Sequence, residues 1–255
     1  MRSDWAALPA AVTRQIAERL GETHIAPAAS GDHAEIAATV TGAGGPVFLK
    51  AARSDLGVRS LRYELRVGEA LQPPRSPAVL WQFDVDGWLV AGFEHLDGPH
   101  ADLSPANPDL NLLATAIREL ADTPEPAIPL YNPQARLGFS HPAMDGVSLI
   151  HTDLNPANLI VTSKGLRIVD WAYATKAASW LELAMLVPWL IGSGHTPAQA
   201  EQWLAQFPAW NSVGEDVLDH FARSNAAKWA AKAQTSSLPW VHDLADWTGQ
   251  WKRFR

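Results

Sequence analysis

The chain has 255 residues, 47% of them hydrophobic and 18% charged, which is enough to bury a sizeable core in one large domain or two small lobes. It contains no cysteine, which excludes disulfides, cysteine-ligated zinc and thiol nucleophiles. The net charge of -7 argues against a nucleic-acid-binding protein. No apolar run is long enough to span a membrane, and Met1-Arg2-Ser3-Asp4-Trp5 lacks the apolar stretch of a signal peptide. We therefore predict a cytoplasmic protein with no membrane or nucleic-acid partner.

In the first part of the chain, the pattern of apolar residues and turns predicts several strands and two helices. Gly21 ends an amphipathic helix over 4–20. Two turns, Ser30-Gly31-Asp32 and Gly42-Ala43-Gly44-Gly45-Pro46, divide residues 25–51 into three strands. A second helix covers 55–71, and an Asp86-Gly87 turn joins two further strands at 79–84 and 88–93.

The pattern changes from strands to helices after the segment Glu94-His95-Leu96-Asp97-Gly98-Pro99. A proline-rich connection occupies 123–131, and two short hairpins lie within 148–170. Helices are predicted over 109–121, 179–191, 197–206, 213–232 and 239–252. Because strands and helices are segregated, the fold class is α+β rather than doubly wound α/β. We expect two lobes: residues 1–95 with an antiparallel five-stranded sheet and a helix, and residues 96–255, mostly helical.

A segment near the middle of the chain carries the groups with the clearest chemistry. The apolar runs within 149–161 and 166–171 frame a His151-x-Asp153-x-x-x-x-Asn158 loop, and Asp170 closes the second run. The Asp153 carboxylate can accept a proton, whereas the Asn158 amide and the Asp170 carboxylate can hold Mg²⁺, as in kinases. The spacing from Asn158 to Asp170 fits strand, turn and strand, which favours a metal ligand over a strand-end cap. We interpret His151 as structural, holding the loop backbone through hydrogen bonds.

Lys50 lies inside the apolar strand Val47-Phe48-Leu49-Lys50-Ala51 and is therefore predicted to be buried. A buried lysine needs a counter-charge, and Glu64 on the following helix is the candidate. Such a pair holds the phosphates of ATP in kinases. The alternatives are an edge-strand lysine reaching solvent, and a Glu64 that pairs with neighbouring arginines.

Two weaker signals concern the nucleotide. The sequence contains no Walker A motif and no Gly-x-Gly-x-x-Gly, so the turn that covers the phosphates is assigned by position to Ser30 and Gly31. At the lobe junction, backbone groups of Glu94 and Leu96 could pair with adenine edges. The alternative for this junction is a simple linker.

Tryptophan is unusually frequent, and eight of the twelve follow residue 175. Trp240, Leu244, Trp247 and Trp251 share one helical face, which favours a role in the core. The alternative is that one or two tryptophans line a substrate cleft.

The run His151-Thr152-Asp153-Leu154-Asn155-Pro156-Ala157-Asn158, followed by Ile168-Val169-Asp170-Trp171, resembles the aminoglycoside phosphotransferase family. That family belongs to the protein-kinase-like fold and includes choline kinases and other small-molecule kinases.

This resemblance implies MgATP bound between two lobes, with residues 1–95 as the nucleotide-binding lobe and 96–255 carrying the catalytic loop and substrate site. Asp153 would be the base, Asn158 and Asp170 the Mg²⁺ ligands, and Lys50 with Glu64 the phosphate anchor. One departure concerns Glu182, which stands where many relatives have an aspartate that supports the catalytic loop.

Three functional hypotheses follow. The first is an ATP-dependent phosphotransferase acting on a hydroxyl of an aminoglycoside-like antibiotic or a related cationic or sugar compound; Asp97, Glu182, Asp216 and Asp243 are either acids that attract such a cation or solvated surface acids. The second is a metabolic kinase for a sugar or amino alcohol. The third is a nucleotide-binding regulatory protein without turnover. A protein kinase is disfavoured, because Trp171-Ala172 replaces the usual Phe-Gly after the metal-binding Asp and no Ala-Pro-Glu segment follows.

Overall fold

The structure, a computed structural model, describes residues 4–28 and 34–255. Ser30 and Gly31, the predicted phosphate-covering turn, lie outside the described residues. The chain divides into two compact units: residues 1–99 with 167–172, and residues 100–166 with 173–255. Asp170 therefore belongs to the same unit as Lys50, although 120 positions separate them in the sequence. None of the helices in the described part of the chain has the length and apolar character needed to span a bilayer.

The first unit is built on a five-stranded antiparallel sheet, as predicted, which confirms the α+β fold class together with the helical second unit. The strand order is β1-β2-β3-β5-β4. Its elements are α1 (Ala10–Leu20), β1 (His24–Pro27), β2 (Ile36–Gly42), β3 (Gly45–Ala52), α2 (Asp55–Leu71), β4 (Val79–Val85) and β5 (Trp88–Glu94).

The alternation of side chains along β3 decides which way Lys50 points. Leu49 packs into a cluster with the apolar face of α1, whereas Ala52 packs with Leu61 of α2. Successive side chains of a strand point to opposite faces of the sheet. Lys50 has the same parity as Ala52, so it points towards α2, the helix that carries Glu64.

The helix predicted over residues 4–20 begins later than expected. Trp5–Ala7 forms a short 3₁₀ turn capped by the Asp4 side chain, and α1 starts only at Ala10. The reason is Pro9, which favours an extended residue before it; Leu8 has φ -71° and ψ 131°. The predicted end of the helix at Gly21 is correct, with φ 78° at this glycine.

The second unit is mostly helical, with short strands around the loop 151–158. Its elements are α3 (Asp109–Ala121), α4 (Pro133–Leu137), β6 (Ser148–Ile150), β7 (Leu159–Thr162), β8 (Gly165–Ile168), which continues into the first unit, β9 (Thr175–Ala177), α5 (Trp180–Gly192), α6 (Pro197–Leu204), α7 (Pro208–Asn211), α8 (Glu215–Ala233) and α9 (Pro239–Phe254).

Only one of the two hairpins predicted within 148–170 is a hairpin. Strands β7 and β8 form a two-stranded sheet, but β6 pairs antiparallel with β9, a strand that the sequence did not predict. The three residues of β9 are too few to show a clear alternation. The consequence is that the loop following β6 is anchored from a distant part of the chain.

A network of charged side chains around the buried Arg255 guanidinium ties α9 to α6 and α8. The Arg255 guanidinium donates to Glu201 at 2.6 Å, to Glu215 at 2.9 Å and to Asp219 at 3.0 Å, and only 6% of its side chain is exposed. The Trp251 indole N–H donates to the same Glu201 carboxylate. Trp251 is fully buried beside Trp210 and Phe221, which agrees with a core role for this tryptophan.

Replacing Arg255 with Met is expected to lower the free energy of unfolding by about 2 kcal/mol, because the partly buried Glu201 and Asp219 lose their cation, whereas the exposed Glu215 adds little. Equilibrium urea unfolding followed by circular dichroism measures the change. Arg253→Met, on the exposed side of the same helical turn, is the matched control. Equal stability of the two variants would mean that the network contributes nothing.

Candidate active site

In the first unit, Lys50, Glu64 and Asp170 form one cluster of charges. The Lys50 Nζ lies 2.8 Å from both Glu64 carboxylate oxygens and 3.1 Å from Asp170 Oδ1. Burial alone would lower the pKa of Lys50, but the Asp170 and Glu64 carboxylates outweigh it and raise the pKa above its ordinary value. Lys50 therefore keeps its positive charge while buried.

Asp170 reaches this cluster through an unusual backbone conformation. It lies just after β8 with φ 64°, in the left-handed region that Asp and Asn tolerate better than most residues. The next residue, Trp171, is fully buried, and its indole N–H donates to the Ile168 carbonyl at 3.3 Å. This packing holds the turn so that the carboxylate is directed at Lys50.

In the second unit, the loop 151–158 brings Asp153 and Asn158 together. The Asn158 Nδ2 donates to the Asp153 carbonyl at 2.9 Å and to Asp153 Oδ2 at 3.1 Å. The Asn155 side chain accepts from the Ala157 N–H, and His151 Nδ1 accepts from the Asp153 N–H at 3.3 Å. The five-residue spacing thus closes a compact loop that orients one carboxylate.

Glu182, in the first turn of α5, holds the backbone of this loop. The two Glu182 carboxylate oxygens accept the N–H groups of His151 and Thr152, the latter at 2.9 Å. Burial raises the pKa of Glu182 to about 7, against the opposing effect of these two donors. Glu182 thus contacts the loop backbone and is not a surface acid that could attract a cationic substrate.

Thr152, between His151 and Asp153, adopts φ 66°, which is strained for a β-branched residue. Its hydroxyl donates to the Tyr173 carbonyl at 3.0 Å and accepts from Arg136 Nε at 2.8 Å. Arg136 also donates to the Thr152 carbonyl at 3.2 Å and lies 4.0 Å from the centre of the Tyr173 ring. These contacts compensate for the strain and fix the residue next to Asp153.

Glu182→Gln is expected to lower stability by about 2 kcal/mol, because the new amide nitrogen faces a buried N–H and leaves it unsatisfied. The same change should reduce turnover, since the misplaced backbone carries Asp153. Urea unfolding and an ADP-release assay measure the two effects. Glu119→Gln, an exposed position on α3, is the control. Wild-type stability and turnover in Glu182→Gln would exclude the proposed support of the loop.

The residues predicted as metal ligands have the right chemistry for Mg²⁺. Within the described residues, no group of three or more His, Asp or Glu side chains is arranged to hold a metal ion. Mg²⁺ is commonly held by one or two protein oxygen ligands together with water and substrate phosphates. Asp170 offers a carboxylate, and Asn158 offers its amide oxygen, because its amide nitrogen is engaged with Asp153. Each of these two groups by itself is of the kind that binds Mg²⁺, and their joint binding of one ion stays a prediction.

The predicted adenine-pairing residues lie at the end of β5 and just beyond it. The Glu94 N–H donates to the Ala78 carbonyl at 2.8 Å, and its carboxylate accepts from the Ala78 N–H at 3.1 Å. Leu96 follows in a segment without regular structure. Their contact with a nucleotide stays a prediction.

Sequence reasoning missed Arg136 and the role of Thr152. Arg136 lies on α4, and the signal for this helix was present: Asn132 caps it by accepting the Ala135 N–H, and Pro133 occupies its first position. The left-handed conformation of Thr152 has no signal in the sequence.

An antiparallel sheet with a Lys–Glu ion pair, followed by a helical unit with a His-x-Asp-x-x-x-x-Asn loop, is the arrangement of the protein-kinase-like fold. Residues 140–215 match the family model described as the phosphotransferase enzyme family (APH), a segment that contains the loop 151–158 and Asp170. The resemblance to aminoglycoside phosphotransferases is confirmed by this match. No curated protein matches the chain at a significant level.

Solved structures agree in fold over nearly the whole chain. Aminoglycoside phosphotransferase APH(4)-Ia matches with a TM-score of 0.63 and 13% identity, covering 95% of this chain and 96% of that one. A thermostable mutant of APH(4)-Ia, in a ternary complex with ADP and hygromycin B, matches with a TM-score of 0.63 and 12% identity over 95% and 97% of the two chains. A second thermostable mutant, in complex with AMP-PNP and hygromycin B, has a TM-score of 0.64, 12% identity and the same coverage.

Proposed function

We propose that this protein is an ATP-dependent phosphotransferase that moves the γ-phosphate of MgATP to a hydroxyl of a small molecule. The observation that carries the proposal is the Asp153–Asn158 pair in a loop whose backbone is held by the buried Glu182. A carboxylate fixed in this way can accept a proton from a bound hydroxyl, which is the requirement for a catalytic base.

The proposed reaction assigns one task to each residue. Asp153 orients the acceptor hydroxyl and takes its proton as the oxygen forms a bond to the γ-phosphorus. The bond from that phosphorus to the β,γ-bridging oxygen breaks, and ADP leaves with the electron pair. Lys50, held by Glu64, binds the nucleotide phosphates. Asn158 and Asp170 are the proposed ligands of Mg²⁺, which when bound neutralises the phosphate charge.

The nucleotide assignment has support from related folds. The two ternary complexes of APH(4)-Ia mutants contain ADP or AMP-PNP, and they share the fold over 95% of this chain. The same structures contain hygromycin B, which supports an aminoglycoside-like acceptor as one candidate. A sugar or amino alcohol is the alternative acceptor, and nucleotide binding without turnover is the alternative to catalysis. At 12% sequence identity, the substrate of APH(4)-Ia does not identify the acceptor of this chain, so the acceptor has to be inferred from this chain's own residues.

The test is ADP release from MgATP in a coupled assay, with a panel of aminoglycosides, sugars, amino alcohols and hydroxy acids. Stimulation by one acceptor class, with transfer of phosphate verified by mass spectrometry of the product, is the expected result. MgATP binding without stimulation by any acceptor would favour the regulatory alternative. Failure to bind MgATP would contradict the proposal altogether.

A further inference from the structure

A group of cationic and aromatic side chains lies on α8 and α9 of the second unit. The Lys232 Nζ is 4.8 Å from the centre of the Trp229 ring and 4.7 Å from that of Trp240, and the two rings meet edge to face at 5.8 Å. The Lys228 Nζ is 5.8 Å from the Trp229 ring. We refer to Lys228, Trp229, Lys232 and Trp240 as the Lys228 cluster.

Lys228 is the member of the cluster whose charge has no carboxylate partner among the described residues. None of the ion pairs found within residues 4–28 and 34–255 includes Lys228. Burial lowers the pKa of Lys228 to about 8, and the cations Arg136 and Lys232 add to this shift. Below that pH, a half-buried ammonium lies among other cations, which is unfavourable unless an anion joins it.

The cluster also holds an unused hydrogen-bond donor. In the part of the chain that the structure describes, the buried indole N–H of Trp240 meets no acceptor. Buried polar groups are nearly always paired, so an unpaired donor requires an explanation. Lys228 and Trp240 together offer the two kinds of donor, an ammonium and an indole N–H, that an oxyanion accepts from.

Arg136 links this cluster to the catalytic loop. The positive charge of Arg136 contributes to the lowered pKa of Lys228. Burial also lowers the pKa of Arg136, and the Asp153 carboxylate opposes that effect. The hydrogen bonds of Arg136 end on Thr152, the residue before Asp153. Arg136 therefore interacts electrostatically with both Lys228 and Asp153, and its hydrogen bonds to Thr152 connect it to the loop of the proposed base.

We propose that the Lys228 cluster binds an anionic group, a carboxylate or a phosphate, on the acceptor whose hydroxyl faces Asp153. This inference rests on the proposed function and specifies its substrate class: a hydroxy acid or a phosphorylated alcohol. Lys228 forms the ion pair, the Trp240 N–H supplies a hydrogen bond, and the indole rings cover the apolar part of the acceptor. A polycationic aminoglycoside is disfavoured, because like charges would face each other in a partly buried place.

The first experiment tests anion binding without turnover. The full-length protein with ¹⁵N-labelled indoles is titrated at pH 7 with sulfate and with acetate, and the Trp240 signal is identified by its loss in Trp240→Phe. We expect this signal to shift on titration, and affinity to fall at least about tenfold in Lys228→Gln, as for a lost charge-assisted bond. Lys252→Gln, an exposed lysine on α9, is the control and should bind as the wild type does. The proposal would be overturned if the Trp240 signal did not shift with either anion, or if it shifted equally in Lys228→Gln.

The second experiment compares acceptors that differ only in charge. ADP release is measured with glycerate, glycerol 3-phosphate, glycerol and hygromycin B, and with gluconate against glucose. Preference for an acid, with a rise in acceptor KM but not ATP KM in Lys228→Gln, supports the inference and separates carboxylate from phosphate. Preference for hygromycin B or for a neutral acceptor, unchanged in Lys228→Gln, overturns it. Lys228-dependent anion binding without turnover on any acceptor would sustain the anion site while contradicting the proposed catalysis.

Discussion

Asp153→Asn is expected to lower kcat by a factor on the order of a thousand, because the amide cannot accept the proton of the acceptor hydroxyl. The geometry of the loop should survive, since the new side chain can still present an oxygen to Asn158 Nδ2, which lies 3.1 Å from the present carboxylate. ATP affinity is expected to change by less than about threefold, because the effect is confined to the chemical step. ADP-release kinetics and calorimetric titration with MgATP measure the two quantities.

The matched control for this change is Asp145→Asn, an exposed aspartate of the same unit. It removes one negative charge without touching the loop and should leave kcat and ATP affinity at wild-type values. Full turnover in Asp153→Asn would show that another group takes the proton. A parallel loss of ATP affinity would mean that Asp153 acts on the nucleotide instead.

Lys50→Met is expected to have two effects, a loss of nucleotide binding and a loss of stability. The change removes the cation that lies 2.8 Å from Glu64 and 3.1 Å from Asp170, so a buried and a partly buried carboxylate are left without compensation. Breaking a buried pair in this way costs about 3–5 kcal/mol. Urea unfolding measures the stability, and calorimetric titration measures the affinity for MgATP.

A double variant separates these two effects. Lys50→Met combined with Glu64→Gln removes one of the two uncompensated negative charges and should recover part of the lost stability. Nucleotide binding is expected to stay lost, because the phosphate anchor is absent. Lys164→Met, in the exposed turn between β7 and β8, controls for the loss of a lysine. Recovery of MgATP binding in the double variant would show that Lys50 is only a structural counter-charge.

The sheet and most helices of this fold could be predicted because their signals are local. Alternation and glycine turns mark the five strands, and apolar residues that recur with a period of about 3.6 residues mark α2, α3 and α9. The strand β9 could not be predicted, because its three residues are defined by pairing with β6 and not by their own pattern. The 3₁₀ turn before α1 could have been predicted, because Pro9 disfavours a helical residue before it. The prediction followed the pattern of apolar residues instead and extended the helix too far.

Some residues of the candidate site could be predicted from the sequence in the same way, whereas others could not. Lys50 and Glu64 could be paired from sequence, because a lysine in an apolar strand requires a counter-charge on a neighbouring element. Asp170 joins that pair only through a left-handed turn, and Thr152 depends on a similar conformation, which residue type alone does not indicate. Lys228 looks like any solvated lysine in an amphipathic helix. Its burial and its cationic neighbours arise from tertiary packing.

Because the backbone of Thr152 is strained, residues 149–161 are not expected to keep their conformation in another protein. The Thr152 hydroxyl, carbonyl and amide are held by Arg136, Tyr173 and Glu182, three anchors that lie 16, 21 and 30 positions away along the chain. Residues 149–161 transplanted into another scaffold would carry the signature letters but none of these anchors, and the unsupported threonine would relax to an ordinary backbone conformation. The part of the chain that holds this conformation is therefore the segment from Asn132 to Glu182, of which the short motif is only one portion.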